Sequence, residues 1–88
     1  MDIEVVIQNK LGLHLRAAAM LIKLANTFKC EITISKDNQS ANGKSIMGIM
    51  ALAASPGTKL KINCAGTDEA EACEKLKKLV DDKFGEKE

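Results

Sequence analysis

The residues best suited to chemistry surround His14, the only histidine among 88 residues. Gly12 precedes it and Arg16 follows two positions later, where a loop is predicted to enter the first helix. The first N–H groups of a helix have no partners within it and lie at the positive end of its dipole. An anionic group held at His14 would therefore meet those N–H groups and the Arg16 guanidinium. Because the helix N-terminus disfavours a permanent cation, we expect a neutral, nucleophilic imidazole, which suits a covalent phosphoryl intermediate.

The same stretch also fits other interpretations. A single histidine at a helix start is also typical of a surface or packing residue, and we expect no second titratable group near it to complete a catalytic pair. Leu15 offers no capping oxygen, so the first N–H groups of the helix are expected to stay available to a ligand. The Gly-Lys-Ser run at 43–45 is not a phosphate-binding loop, because the full pattern requires glycine where Asn38 stands.

The three cysteines, Cys30, Cys64 and Cys73, form no CxxC pair and leave one over in any disulfide pairing. This usage favours a reducing compartment, so we expect a cytoplasmic protein without disulfides. The favoured interpretation is three small thiols buried in the core, with no metal and no cofactor. The alternative is a zinc site that combines His14 with the three cysteines.

Hydrophobic periodicity predicts the elements that must position these residues. Apolar and polar residues alternate with period two over 3–8, 30–35 and 60–64, and a short edge strand is expected over 40–43. Helical spacing covers 15–28, 46 to about 53, and 68–84, with Thr67 or Asp68 as the cap of the last helix and a frayed tail after Gly85. The predicted fold is α+β: a two-layer open-faced sandwich in the order β-α-β-β-α-β-α, with an antiparallel four-stranded sheet and three helices on one face.

The middle helix differs from the other two because it is apolar nearly all round. Ser45 is its expected N-cap, and a Ser-Pro-Gly run at 55–57 ends it. So short a helix cannot bury every side in a domain of this size, so some of Ile46, Met47 and Met50 should stay on the surface. Exposed Met and Ile side chains are typical of a partner-docking surface. The alternative is a fully buried linker helix.

Composition excludes several classes of protein. The length predicts a single domain over 1–88. A net charge of +1 and an aromatic content of 2% argue against a nucleic-acid partner, which would need a basic patch or stacking platforms. No apolar run reaches the length of a membrane span, and acids near the start stand where a signal peptide carries bases.

Two motifs resemble those of the HPr family, the histidine-containing phosphocarriers of the bacterial phosphotransferase system. The first is Gly-Leu-His-Leu-Arg-Ala-Ala at 12–18, and the second is Gly-Lys-Ser-Ile-Met-Gly-Ile-Met at 43–50. The resemblance extends over the whole chain. It implies a carrier, not an enzyme: His14 accepts a phosphoryl group on Nδ1 from phosphorylated enzyme I, which is charged by phosphoenolpyruvate, and passes it to an enzyme IIA component. Arg16 would steady the phosphohistidine, and Ser45 would be the site of an HPr kinase/phosphorylase.

The resemblance also implies a docking surface and a monomer. The expected contact residues lie on the first two helices: Leu15, Ala19, Met20, Lys23, Ile46, Met47 and Met50. Two positions depart from the family motif, which has a small residue where Leu15 stands and proline where Ala17 stands. These departures bear on the choice of partner, since neither removes the nucleophile. A second hypothesis is a regulatory binding module without a direct role in sugar transport. It arises because the segment 9–12, which precedes the histidine motif, also resembles family members that act in nitrogen-related relays.

Overall fold

A computed structural model of the chain describes residues 1–87. Four strands and three α-helices alternate in the predicted order, and a single 3₁₀ turn over Lys83–Gly85 follows the last helix. The elements are β1 (Asp2–Val6), α1 (Leu15–Ala25), β2 (Glu31–Lys36), β3 (Gln39–Asn42), α2 (Ile46–Ala51), β4 (Lys59–Ala65) and α3 (Glu69–Asp81).

The strands form one antiparallel sheet in the spatial order β1-β4-β2-β3. Alternation along β2 and β4 sends every second side chain into the core, and the register pairs Ile34 with Ile62 and Ile32 with Cys64. α3 packs on β1 and β4, α2 packs beside β3, and α1 contacts both of the other helices. The predicted antiparallel sheet covered by three helices on one face is therefore confirmed.

The core is aliphatic, as the sequence predicted, and all three cysteines are free thiols buried within it. Burial is the main cause that raises the pKa of the Cys64 thiol to about 12. Within residues 1–87 no three His, Cys, Asp or Glu side chains come together as metal ligands, so the zinc alternative finds no support there. The helices found in the same residues are too short to cross a bilayer.

All three helices were predicted to extend too far at their C-terminal ends, and local hydrogen bonds and backbone angles explain why. After Ala25 the side chains of Asn26 and Thr27 donate to carbonyl oxygens of the last turn of α1, which ends the helix. Ala53 has φ 49°, and Phe84 has φ 54°, so neither residue continues the right-handed helix before it. The core nevertheless includes Phe28 and Phe84, both buried as expected.

The N-cap position predicted for α3 was right, but the expected side-chain hydrogen bond to the helix is not made. Asp68 is the N-cap residue, but its carboxylate makes no capping hydrogen bond. It accepts instead from the backbone N–H groups of Lys29 and Cys30, at 2.8 and 3.0 Å. These bonds hold the start of α3 against the segment that enters β2, and the N–H of Lys29 is the main cause that lowers the pKa of Asp68.

Candidate functional site

His14 is the N-cap residue of α1, where the sequence placed it. Its backbone is extended, with φ −77° and ψ 178°, and its carbonyl oxygen accepts from the N–H of Ala18 at 2.8 Å. The imidazole makes no capping bond to the helix. Within residues 1–87 no acceptor reaches the N–H groups of Leu15 or Ala17, so the open first turn expected from the sequence is present.

Two backbone hydrogen bonds, one within the loop and one to a distant segment, hold the loop before His14. Gly12 has φ 69° and donates its N–H to the carbonyl oxygen of Asn9 at 3.1 Å. The next residue, Leu13, is buried and donates to the carbonyl oxygen of Ala54 at 2.8 Å. Because these bonds fix the backbone directly before the helix, they also fix the position of the His14 backbone, from which the ring extends.

A carboxylate from the far end of the chain lies against the histidine. Glu86 Oε2 is 2.5 Å from His14 Nε2 and 3.2 Å from the nearer guanidinium nitrogen of Arg16, Nη1. The Glu86 side chain is 13% exposed, against 27% for His14 and 57% for Arg16. Two expectations were therefore wrong: the tail after Gly85 is not frayed at Glu86, and a second titratable group does contact the histidine.

The return of the tail depends on the residues just before Glu86. Lys83, Phe84 and Gly85 all have positive φ, at 56°, 54° and 77°, so the chain turns back as α3 ends. The Phe84 side chain has no exposed surface and anchors this turn in the core. The contact between His14 and Glu86 spans 72 residues, so no local motif in the sequence could have indicated it.

Asn9 is the second residue that sequence reasoning missed. It is the only polar residue among 1–87 whose side chain belongs to the buried set, with no exposed surface. Its Nδ2 donates to the carbonyl oxygen of Gly12 at 2.7 Å and to Glu86 Oε1 at 3.0 Å. One amide group thus joins the loop before His14 to the carboxylate that contacts His14.

The charges of the site agree with its geometry. The hydrogen bond from His14 is the main cause that lowers the pKa of the Glu86 carboxyl, and the bond from Asn9 is the next. The group is therefore ionised near neutral pH. An anionic oxygen, Glu86 Oε2, thus contacts both the His14 ring and the Arg16 guanidinium.

The residues predicted to dock partners differ in exposure. Leu15 is 63% exposed, Met47 79% and Met50 36%. Among the others, Ala19 and Lys23 are exposed, while Met20 and Ile46 are half-buried against the core. α2 turns Ile49 inward but leaves Met47 exposed, so the alternative of a fully buried linker helix was wrong.

Leu11 also lies beside the site, and it was not predicted. It is 68% exposed in the loop before His14. Together with Lys10, Arg16, Glu86 and Lys87 it lines an open cavity of about 560 Å³ beside the site. The available signal in the sequence was a leucine directly after a charged residue in a loop. Only the structure shows that the loop leaves this side chain outside the core.

Ser45 lies apart from this cluster. It is the N-cap of α2, as predicted, and its Oγ accepts from the N–H of Gly48 at 3.2 Å. Ser45 is half-exposed, at the start of the helix that presents Met47. In the described part of the chain no hydrogen bond or ion pair joins Ser45 to His14, Arg16 or Glu86.

Comparisons with known proteins agree with this fold and motif. The family model described as PTS HPr component phosphorylation site matches residues 1–82. The phosphocarrier protein HPr of Neisseria meningitidis serogroup A is 46% identical over 87 residues, which cover 99% of this chain and 96% of that one. The HPr-like protein Crh of Bacillus subtilis is 43% identical over 77 residues, which cover 88% and 91%.

Solved structures give the same result. The crystal structure of HPr-C-His from Thermoanaerobacter tengcongensis has a TM-score of 0.96 and 43% identity, and the match covers 100% of this chain and 99% of that one. The fold and its histidine-bearing helix place this chain among the phosphocarrier proteins of the bacterial phosphotransferase system. It belongs to the PTS HPr family.

Proposed function

We propose that this chain is a phosphocarrier whose acceptor is Nδ1 of His14. The observation that carries the proposal is the position of the ring: the histidine ends the loop at the open first turn of α1, two residues before Arg16. The donor would be phosphorylated enzyme I, charged by phosphoenolpyruvate, and the next acceptor an enzyme IIA component. The chain would act as one cytoplasmic domain over 1–88, and as a monomer.

In this proposal the protein supplies a nucleophile and a site for the phosphoryl oxygens. The Nδ1 lone pair forms the new N–P bond as the bond to the donor breaks, and that electron pair returns to the donor. Open N–H groups at the start of α1 and the mostly exposed Arg16 guanidinium can donate to the phosphoryl oxygens. Arg16 has five N–H donors, so its bond to Glu86 leaves others free for the phosphoryl group.

Partner docking is assigned to the exposed apolar residues of α1 and α2. Leu15, Met47 and Met50 provide accessible apolar surface near the histidine-bearing end of α1, and the flexible methionine side chains can adapt to more than one partner. Ala19, Met20, Lys23 and Ile46 complete the proposed surface. Such a carrier must bind enzyme I and an enzyme IIA component in turn, so an adaptable surface suits it.

A direct test is incubation with phosphoenolpyruvate and enzyme I. Acid-labile phosphate should appear on the wild-type chain, fall to background in His14→Ala, and persist in Ser45→Ala. Because His14 is the only histidine, the acid-labile product can be assigned without mapping. Acid-stable phosphate, or labile phosphate retained in His14→Ala, would contradict the proposal.

Ser45 is proposed as a regulatory phosphorylation site for an HPr kinase/phosphorylase. Its hydroxyl is half-exposed at the start of α2, so a phosphate there would add a dianion beside Met47 and oppose the docking of enzyme I by charge and desolvation. With ATP and the kinase, acid-stable phosphate should appear on the wild-type chain and be absent from Ser45→Ala. The phosphorylated chain should then accept phosphate from enzyme I more slowly than the unmodified one.

A second candidate is a regulatory module without a direct role in sugar uptake. The relative Crh, 43% identical, carries the words "catabolite repression" in the names of its structures, and this likeness supports the alternative. Deleting the gene and measuring sugar uptake separates the two functions, since unchanged uptake favours the regulatory one. Dimers are described for Crh and for the Thermoanaerobacter HPr, so the proposed monomer needs a mass measurement in solution.

A further inference from the structure

We propose that Glu86 is a positioning residue for phosphoryl transfer: its carboxylate holds His14 in the tautomer that carries the proton on Nε2 and so leaves Nδ1 free to attack. The proposal rests on the proposed function of His14 as the phosphoryl acceptor. It adds a role for a residue that stands outside both sequence motifs.

The first step of the argument is the chemistry of the contact. An ionised carboxylate can only accept hydrogen bonds, so the nitrogen 2.5 Å from Glu86 Oε2 must carry the proton. That nitrogen is Nε2 of His14. A neutral imidazole has one protonated nitrogen and one lone pair, so the lone pair is assigned to Nδ1, which is the atom required as the nucleophile.

The second step is how firmly the carboxylate is held. Its two oxygens have different partners: Oε1 accepts from the buried amide of Asn9 at 3.0 Å, and Oε2 accepts from His14 and from Arg16. Asn9 is itself fixed, because the same nitrogen donates to the carbonyl oxygen of Gly12 at 2.7 Å. Buried Phe84 anchors the backbone two residues earlier. The carboxylate is thus oriented by parts of the chain that do not take part in the transfer.

The third step is the charge balance of the reaction. When the Nδ1 lone pair forms the N–P bond, the His14 ring becomes positively charged while its proton stays on Nε2. The bond between the donor and phosphorus breaks, and its electron pair returns to the donor. Glu86 faces the developing charge and stabilises it, as a buried carboxylate does for the histidine of a serine-protease triad. No proton has to leave His14 for the group to arrive or to depart.

The test uses ¹⁵N-labelled protein and the NMR signals of the single histidine, recorded where the ring is neutral. In the wild type Nε2 should give the signal of a protonated nitrogen and Nδ1 that of an unprotonated one. Loss of a charge-assisted hydrogen bond in Glu86→Ala should lower the ratio of the two tautomers by about tenfold or more. Glu86→Gln keeps the side-chain shape without its charge, so it serves if the alanine variant does not fold.

Glu71→Gln is the matched control, because it removes one carboxylate from an exposed pair with Lys75 at 3.1 Å. It should leave both the tautomer ratio and the initial rate of phosphorylation unchanged, whereas the Glu86 variants should lower both. An unchanged tautomer ratio in a folded Glu86 variant would overturn the proposal, as would an unchanged rate. The NMR measurement needs no phosphoryl donor. A wild-type chain that shows the expected tautomer but takes no phosphate from enzyme I would therefore contradict the proposed function alone.

Discussion

Replacing Gly12 by alanine is expected to destabilise the loop that positions His14. Gly12 has φ 69°, and a Cβ built there would lie 2.7 Å from the carbonyl oxygen of Ala54 and 3.2 Å from Cα of Ser55. That carbonyl oxygen accepts the N–H of Leu13 at 2.8 Å, so it cannot move away without disturbing the loop. The neighbouring atoms are backbone, which cannot rotate aside as the end of a side chain can.

Gly57 provides the matched control. Its φ is 88°, also in the left-handed region, but a Cβ there would meet no heavy atom within 4 Å. Both substitutions cost about 1–2 kcal/mol for holding alanine in the left-handed conformation. Both also gain roughly 0.4–1 kcal/mol from the reduced entropy of the unfolded chain, so these contributions cancel in the comparison. Overpacking adds about 1–3 kcal/mol at Gly12 alone.

The two variants can be compared by urea unfolding followed by far-ultraviolet circular dichroism, since the chain has no Trp or Tyr to report by fluorescence. With a urea dependence of about 1–3 kcal/mol per molar, the midpoint of Gly12→Ala should lie roughly 1 M below that of Gly57→Ala. Gly12→Ala should also accept phosphate from enzyme I more slowly, because the shifted loop moves His14. Equal midpoints would refute the reasoning from the Ala54 contact.

Three further predictions concern the rest of the molecule. Asp68→Asn should be less stable than the wild type at pH 7. Because the N–H groups of Lys29 and Cys30 lower the pKa of Asp68 in the folded state, its contribution is present above the unfolded pKa and is lost as pH falls through the lowered one. The urea midpoints should therefore begin to converge as pH falls below about 4, the usual pKa of an unfolded Asp, and a gap that stays constant into that acid range would contradict this. Ser45→Ala should lower the free energy of unfolding by about 1 kcal/mol through loss of the α2 cap, and an unchanged urea midpoint would exclude that role. Met47→Ala should change the free energy of unfolding by less than about 0.5 kcal/mol, because Met47 is 79% exposed, and should raise the KM for transfer from enzyme I. A fall in stability with an unchanged KM would contradict the assignment of Met47 to the docking surface.

Periodicity and caps are local properties, and the sequence predicted them well. The period-two segments became β1, β2 and β4, and Ser45 caps α2 as expected. Side chains two apart in a strand, or three to four apart in a helix, share a face whatever the rest of the chain does. The exact ends of helices were less predictable, because Asn26 and Thr27 compete for carbonyl oxygens through their own side chains.

The sequence by itself determined the position of the single histidine, the open helix start and the apolar residues of α2 that stay outside the core. Each of these features depends on residues only a few positions apart, where spacing decides geometry. Only the tertiary structure decided what contacts His14. Glu86 reaches His14 because Phe84 is buried and the chain turns back after α3, and Asn9 meets Glu86 because β1 leads into the same end of the fold. Contacts across 72 and 77 residues depend on how the whole core packs, and no local pattern encodes them.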